Sequence, residues 1–215
     1  EHPCPRPCRL GALLDIIGLP ATAHKWVKKL AAGYSRCLQW IGQLSTMLNE
    51  KIAAALNLQV KLEAQSSQFY LSMASWSENH GLNGTAEFLF RHSDEERQHM
   101  LKLVRFINER GGNSVIPALP APKNKFSGLH EIFENLLAHE TGVTESIHKV
   151  VDLCLQVKDY TTHHFMQWYV AEQIEEEALA RTILDKLNMI GTDTAGLYLF
   201  DRDLGTLLPQ DSSAA

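Results

Sequence analysis

Between residues 47 and 188 the sequence has three breaks, and the segments between them contain few glycines and no proline. NHGLNG (79 to 84) makes the first break, GGNSVIPALPAPKNKFSG (111 to 128) the second, and a short junction at Lys158 and Asp159 the third. Glycine, proline and asparagine stop helices and the intervening residues favour them, so the region reads as four long helices. The short first and third connections make antiparallel neighbours. The proline-rich second connection is long enough to run the length of a bundle, so the third helix starts at the opposite end. The expectation is an all-α four-helix bundle with one long crossover.

Apolar residues at spacings of three and four place one stripe on each segment. The first runs Ile52, Ala55, Gln59, Leu62, Ser66, Phe69, Met73, Trp76, and the second Leu89, His92, Glu96, His99, Leu103, Phe106. The third gives Phe133, Leu137, Glu140, Thr144, Ile147, Val151, Cys154, and the fourth Phe165, Trp168 or Tyr169, Glu172, Glu176, Leu179, Ile183, Leu187. All four stripes are expected to face inward.

Ionisable residues therefore fall on inward faces at matching depth: Glu96 and His99, Glu140, Glu172 and Glu176, with Glu63 bordering the first seam beside Leu62. A buried, unpaired carboxylate costs several kcal/mol even after relaxation. A cluster of them must protonate or be neutralised by cations. No arginine or lysine is expected at those depths, so a pair of divalent metal ions is the natural source of positive charge. The segment ERQH (96 to 99) is a Glu-x-x-His step, which puts both side chains on one helical face. Oxygen-rich ligands with one imidazole suit iron or manganese. Alone, Glu-x-x-His is common on surface helices and EEE (175 to 177) reads as a solvated face; only their conjunction across four helices points to a metal. Tyr70, on the same face as Glu63, is either a core tyrosine or a redox partner. His163 and His164 point apart on a helix. His80, His130, His139 and His148 lack a spaced partner on a common stripe and are expected at the surface.

Residues 1–46 carry six basic side chains against Glu1 and Asp15, so they hold +4 of a net charge of −5 and the remainder holds −9. An acidic body attracts cations and argues against nucleic acid as a partner. The segment differs in charge and periodicity from the rest of the chain, and reads as a leader, a fusion or translated upstream sequence ahead of a start at Met47. Cys4, Cys8, Cys37 and Cys154 form no C-x-x-C pairs, in keeping with unpaired thiols in a reducing compartment, the cytoplasm. The apolar run at 10 to 19 is short and interrupted by Asp15, so no membrane span is expected. Residues 191–208 are expected to form a short fifth helix and 209–215 a polar tail.

Five segments, EAQSSQFYLSMASW (63 to 76), FLFRHSDEERQHM (88 to 100), HETG (139 to 142), QWYVAEQIEEE (167 to 177) and GLYLFDRDL (196 to 204), resemble bacterial non-haem ferritins over about residues 47–207. The resemblance implies a ferritin-like bundle with a short fifth helix, a homo-oligomeric shell of twenty-four subunits, and a ferroxidase that stores iron. It implies that Glu63, Glu96 and His99 hold one iron and that Glu96 bridges to a second held by Glu140 and Glu176. By the same likeness Gln173 and Tyr70 lie beside the pair, and Glu95, Glu172 and Glu175 form a third iron site. Fe(II) with O2 or H2O2 would be the substrates. Bacterioferritins repeat Glu-x-x-His on the fourth helix, where this sequence reads Gln173 and Glu176, which implies a weaker second iron site; no methionine stands where the bacterioferritin haem ligand would be, so haem is not expected. The rival readings are a di-iron enzyme acting on an organic substrate, which would show substrate-dependent oxygen uptake, and a non-catalytic helical interaction module, which would bind no iron.

Overall fold

A computed structural model describes residues 48–205, and the expected 1–46 extension, its three cysteines and the 209–215 tail lie outside the described residues. Five helices are present among the described residues: α1 Glu50–Asn79, α2 Asn83–Glu109, α3 Leu129–Val157, α4 Tyr160–Ile190 and α5 Thr194–Leu204. Their ends follow local chemistry. The side chain of Asn49 caps α1 by accepting from the Lys51 amide, and Asp159 and Asp193 do the same for α4 and α5. Lys158 takes the left-handed conformation (φ 60°) that turns α3 into α4 within two residues.

Side-chain contacts fix the topology. Ser67 bonds Ser93, and Tyr70, later on α1, stacks on His92, earlier on α2, so α1 and α2 run antiparallel. Along α1, Tyr70, Ser66 and Gln59 meet Glu140, His139 and Ser146 in turn, so α1 and α3 are also antiparallel. Hence α2 and α3 are parallel, which the crossover at 110–128 makes possible. Asn57 and Ser72 tie that crossover to α1: Asn57 bonds Asn113 and Val115, and Ser72 donates to the Lys123 carbonyl. At the other side Arg110 pairs with Asp159 at 3.3 Å, joining the end of α2 to the α3–α4 turn.

The core divides into two apolar clusters. One gathers Met73, Leu89, Phe133, Ile183, Leu187 and Phe200 with their neighbours; the other gathers Ile52, Leu56, Leu103, Ile107, Ile147 and Met166. Between them lies a belt of buried polar groups. Of the stripe read for α1, Ile52, Gln59, Ser66 and Met73 are buried and Ala55, Leu62, Phe69 and Trp76 only partly so, while Leu56, Val60, Glu63 and Tyr70 are buried beside it. Glu63 is 2% exposed and belongs to the core, not its border. α1 packs against both α2 and α3, so its buried arc is wider than one seam. On α4 Glu172 is half-buried and Gln173 takes the inward place. No helix among the described residues is long and apolar enough to cross a membrane.

The helix α5 closes one end by an unusual cap. The residue before α2, Leu82, has no side-chain cap, and Asp201 of α5 supplies one, accepting from Gly84 N at 3.1 Å, Thr85 N at 2.8 Å and Thr85 Oγ1 at 2.7 Å. Gly84 permits this approach, because a Cβ there would lie 1.7 Å from the Asp201 carbonyl oxygen. Replacing Asp201 with Ala should cost about 1 kcal/mol, as for other lost caps. Gly84→Ala should cost more and displace α5. Calorimetric melting of both variants checks this order, and equal melting temperatures would contradict it.

Candidate metal centre

Glu63 comes from α1, Glu96 and His99 from α2, Glu140 from α3, and Gln173 and Glu176 from α4, and all six are buried at the level of the polar belt. The helical step of three puts Glu96 and His99 on one face, with Nδ1 of His99 3.7 Å from Oε2 of Glu96. Glu63, Glu96 and His99 each offer a ligand atom within 4.8 Å of the others. Gln59 donates to Oε1 of Glu63 at 2.8 Å, and Ser146 donates to the oxygen of Gln59 at 2.7 Å, which orients that carboxylate from behind. Oε2 of Glu96 is buried without a hydrogen-bond partner. Such an atom is costly unless a cation meets it.

The electrostatics point the same way. Burial, then the neighbouring Glu96, pushes the Glu63 carboxyl well above its ordinary range. Burial, then Glu140 and Glu176, does so for Glu96, and Glu176 is raised by burial and Glu140. Glu140 is also raised by burial, but less freely, because Gln173 donates to its Oε2 at 3.1 Å and Tyr70 to its Oε1 at 2.8 Å. Tyr70 is thus a core residue that touches the centre. Its phenol is pushed up by burial and by Glu140, so it stays protonated and serves as a donor.

A second group was not singled out in the sequence. Nε2 of His92 lies 3.8 Å from Glu95 and 4.0 Å from Glu176, and these three also offer atoms within 4.8 Å of one another. Nδ1 of His92 lies 2.9 Å from the Phe88 carbonyl, an acceptor only, so Nδ1 carries the hydrogen and Nε2 turns its lone pair toward the two carboxylates. Burial drives the imidazole down to about 4, so it is neutral at pH 7. A lone pair facing two carboxylates is a donor set suited to a cation. Spacing could have shown it: His92, Glu95, Glu96 and His99 share one stretch of α2. What the spacing omitted was Glu176, which arrives from α4.

Glu95 therefore sits with His92 and Glu176, while Glu172 is half-buried near Glu95 and Glu176 and Glu175 is exposed beside Glu176. The expectation of no basic residue near this depth needs correcting. Arg91, half-buried, has Nε and Nη2 buried without hydrogen-bond partners, and its charge reaches Glu95 and His92. His139 also departs from the surface role expected for it. It is half-buried, 2.7 Å from Ser66 Oγ and packed on Phe69, with burial lowering its pKa.

Comparison with known proteins identifies relatives. Residues 53–190 match the family model described as a ferritin-like domain. A probable bacterial non-heme ferritin-like protein of Haemophilus influenzae is 46% identical over 161 residues, covering 75% of this chain and 98% of that protein. A bacterial non-heme ferritin of Campylobacter jejuni is 41% identical over 156 residues, 73% of this chain and 93% of that protein. Among solved structures, the open pore ferritin of Archaeoglobus fulgidus superposes with a TM-score of 0.74 at 39% identity, covering 76% of this chain and 99% of that one.

The raised carboxyls make a stability prediction for the metal-free protein. The folded form keeps these protons to higher pH than the unfolded chain, whose carboxyls titrate near the ordinary value of 4.5. The cluster's penalty is therefore absent below that value and grows as pH rises through the folded range. Glu96→Gln removes one charge at similar shape. With chelator present it should melt higher than the parent at pH 8, by about 2–4 °C for each kcal/mol relieved. The difference should shrink toward pH 5, and a difference that is constant with pH would contradict the prediction.

Proposed function

The chain belongs to the ferritin family, and on that footing we propose that it is an iron-storage and detoxification protein, a ferroxidase that oxidises Fe(II) with O2 or H2O2 and deposits ferric oxyhydroxide within a homo-oligomeric shell. The observation that carries this reading is the buried group Glu63, Glu96 and His99, with its unpartnered Glu96 oxygen. A divalent cation supplies the charge that the site's own residues lack. The donor set fits the substrate: carboxylates with one imidazole favour iron over thiolate-seeking metals, and they bind Fe(III) more tightly than Fe(II), which helps to drive the oxidation.

Glu63, Glu96 and His99 are assigned to one Fe(II), and Glu96, Glu140 and Glu176 to a second. The chain's part is to place the two and to compensate charge. Each Fe(II) gives up one electron; two electrons and two protons reduce O2 to H2O2, or H2O2 to two molecules of water. Tyr70 and Gln173 each donate a hydrogen bond to the Glu140 carboxylate, which fixes its orientation. Glu95, Glu172 and Glu175 are assigned to a third iron position, to which His92 adds a neutral imidazole through the group it makes with Glu95 and Glu176. Family likeness favours a shell of twenty-four subunits acting in the cytoplasm, with no nucleic-acid partner and no haem.

A few equivalents of Fe(II) per subunit, added in air and followed by ferric absorbance, test the reading directly when the same sample is sized by gel filtration. The parent protein should oxidise iron rapidly as a shell-sized particle. Glu96→Ala combined with His99→Ala should assemble but lose the rapid phase. Oxidation that is slow in the parent and unchanged in the variant would sink the proposal.

A further inference from the structure

The hydroxyl of a helical threonine or serine can bond back to the carbonyl four residues earlier. Ser66, Thr141 and Thr182 do this here, donating to the carbonyls of Leu62, Leu137 and Ala178 at 3.1, 2.9 and 2.8 Å, whereas Ser67, Ser93 and Ser146 bond across to other helices. Thr144 is of the second kind. Its hydroxyl crosses to α4 and donates to Oε1 of Glu177 at 2.7 Å. The carbonyl it would otherwise engage is that of Glu140, and that carbonyl accepts from Nε2 of Gln173 at 3.2 Å. Nε2 of Gln173 also lies 3.2 Å from Thr144 Oγ1 and 3.1 Å from Glu140 Oε2. Having given its one hydrogen to Glu177, Thr144 can only accept from Gln173.

We propose that Thr144 and Glu177 are positioning residues for the di-iron centre: Glu177 draws the Thr144 hydroxyl off the Glu140 carbonyl, so that Gln173 docks on α3 through its nitrogen and holds Glu140. This rests on the ferroxidase reading above and extends it to two residues that do not belong to the ligand set. The register supports it. Because α3 and α4 run antiparallel, Gln173 stands level with Thr144 and Glu177 level with Glu140, so the contacts Gln173–Glu140 and Thr144–Glu177 cross and the four side chains interlock as one ladder. Glu177 is itself fixed from the solvent side by Arg181, which donates to its other oxygen at 2.8 Å. With every one of these contacts made through Nε2, the Gln173 amide has one sense only. When Glu140 turns toward a cation, the Thr144 rung still holds that sense. Gln173, Thr144 and Glu177 lie on α3 and α4, whereas Glu63, Glu96 and His99 lie on α1 and α2, so the ladder acts on the second iron position through Glu140, whose other oxygen is held by Tyr70 of α1.

Anaerobic calorimetric titration of the full-length metal-free protein with Fe(II) tests this. Thr144→Val, which keeps shape but removes donor and acceptor, should leave the tighter binding step unchanged and weaken the second about tenfold, the usual scale for groups that orient metal ligands. Thr144→Ser should restore it. Glu177→Ala, at a partly exposed position, should weaken the same step because the freed hydroxyl falls back on the Glu140 carbonyl, and it carries the test if Thr144→Val does not fold. The double variant should be no worse than the worse single one. Unchanged second-step affinity in Glu177→Ala and Thr144→Val, a Thr144→Ser variant as weak as Thr144→Val, or penalties that simply add would overturn the ladder. Glu96→Ala serves as the separate control: if it binds Fe(II) like the parent, the ferroxidase centre itself is misassigned and the ladder falls with it; if it loses binding while the ladder variants do not, only the ladder fails.

Discussion

Like charges held out of water govern this molecule. Four buried glutamates lie at one level of the bundle, and burial combined with their mutual repulsion raises their carboxyls. No packing of apolar side chains relieves that, and the apolar residues are instead gathered above and below it in two separate clusters. Those clusters provide the favourable free energy that holds four helices around an unfavourable middle. The belt is tolerable because its neutral members are arranged as donors. Gln59, Tyr70 and Gln173 each give a hydrogen to a carboxylate oxygen, while the atom left without one, Glu96 Oε2, is where positive charge is wanted most.

Much of the architecture could be read from the chain because its punctuation is chemical. Gly81 and Gly111 take positive φ at the two breaks that contain them, and Asp159 caps the helix after the third. Glu96 and His99 were readable for a related reason: a step of three on one helix is a local property. Position across the bundle was less so. A single stripe puts Glu63 at the border of its seam, whereas α1 is buried on two sides and Glu63 lies between them. His92 gained no meaning until Glu176 was brought beside it from another helix, and His139 became half-buried only where Ser66 and Phe69 of α1 meet it. Thr144 is the extreme case. Its residue type and spacing are ordinary, and its significance lies in which of two acceptors its hydroxyl chooses, a choice made by Glu177 of the neighbouring helix.

The two candidate groups differ in which parts of the chain they involve. Glu63, Glu96 and His99 all belong to the hairpin of α1 and α2, whereas His92 and Glu95 of that hairpin are completed by Glu176 from the hairpin of α3 and α4. The first group could thus be assembled by one half of the bundle, with local contacts alone. The second exists only after the halves have docked. A cation in the first group would pin two helices that already adjoin, but one in the second would rivet the halves together, so its release would loosen the seam between them.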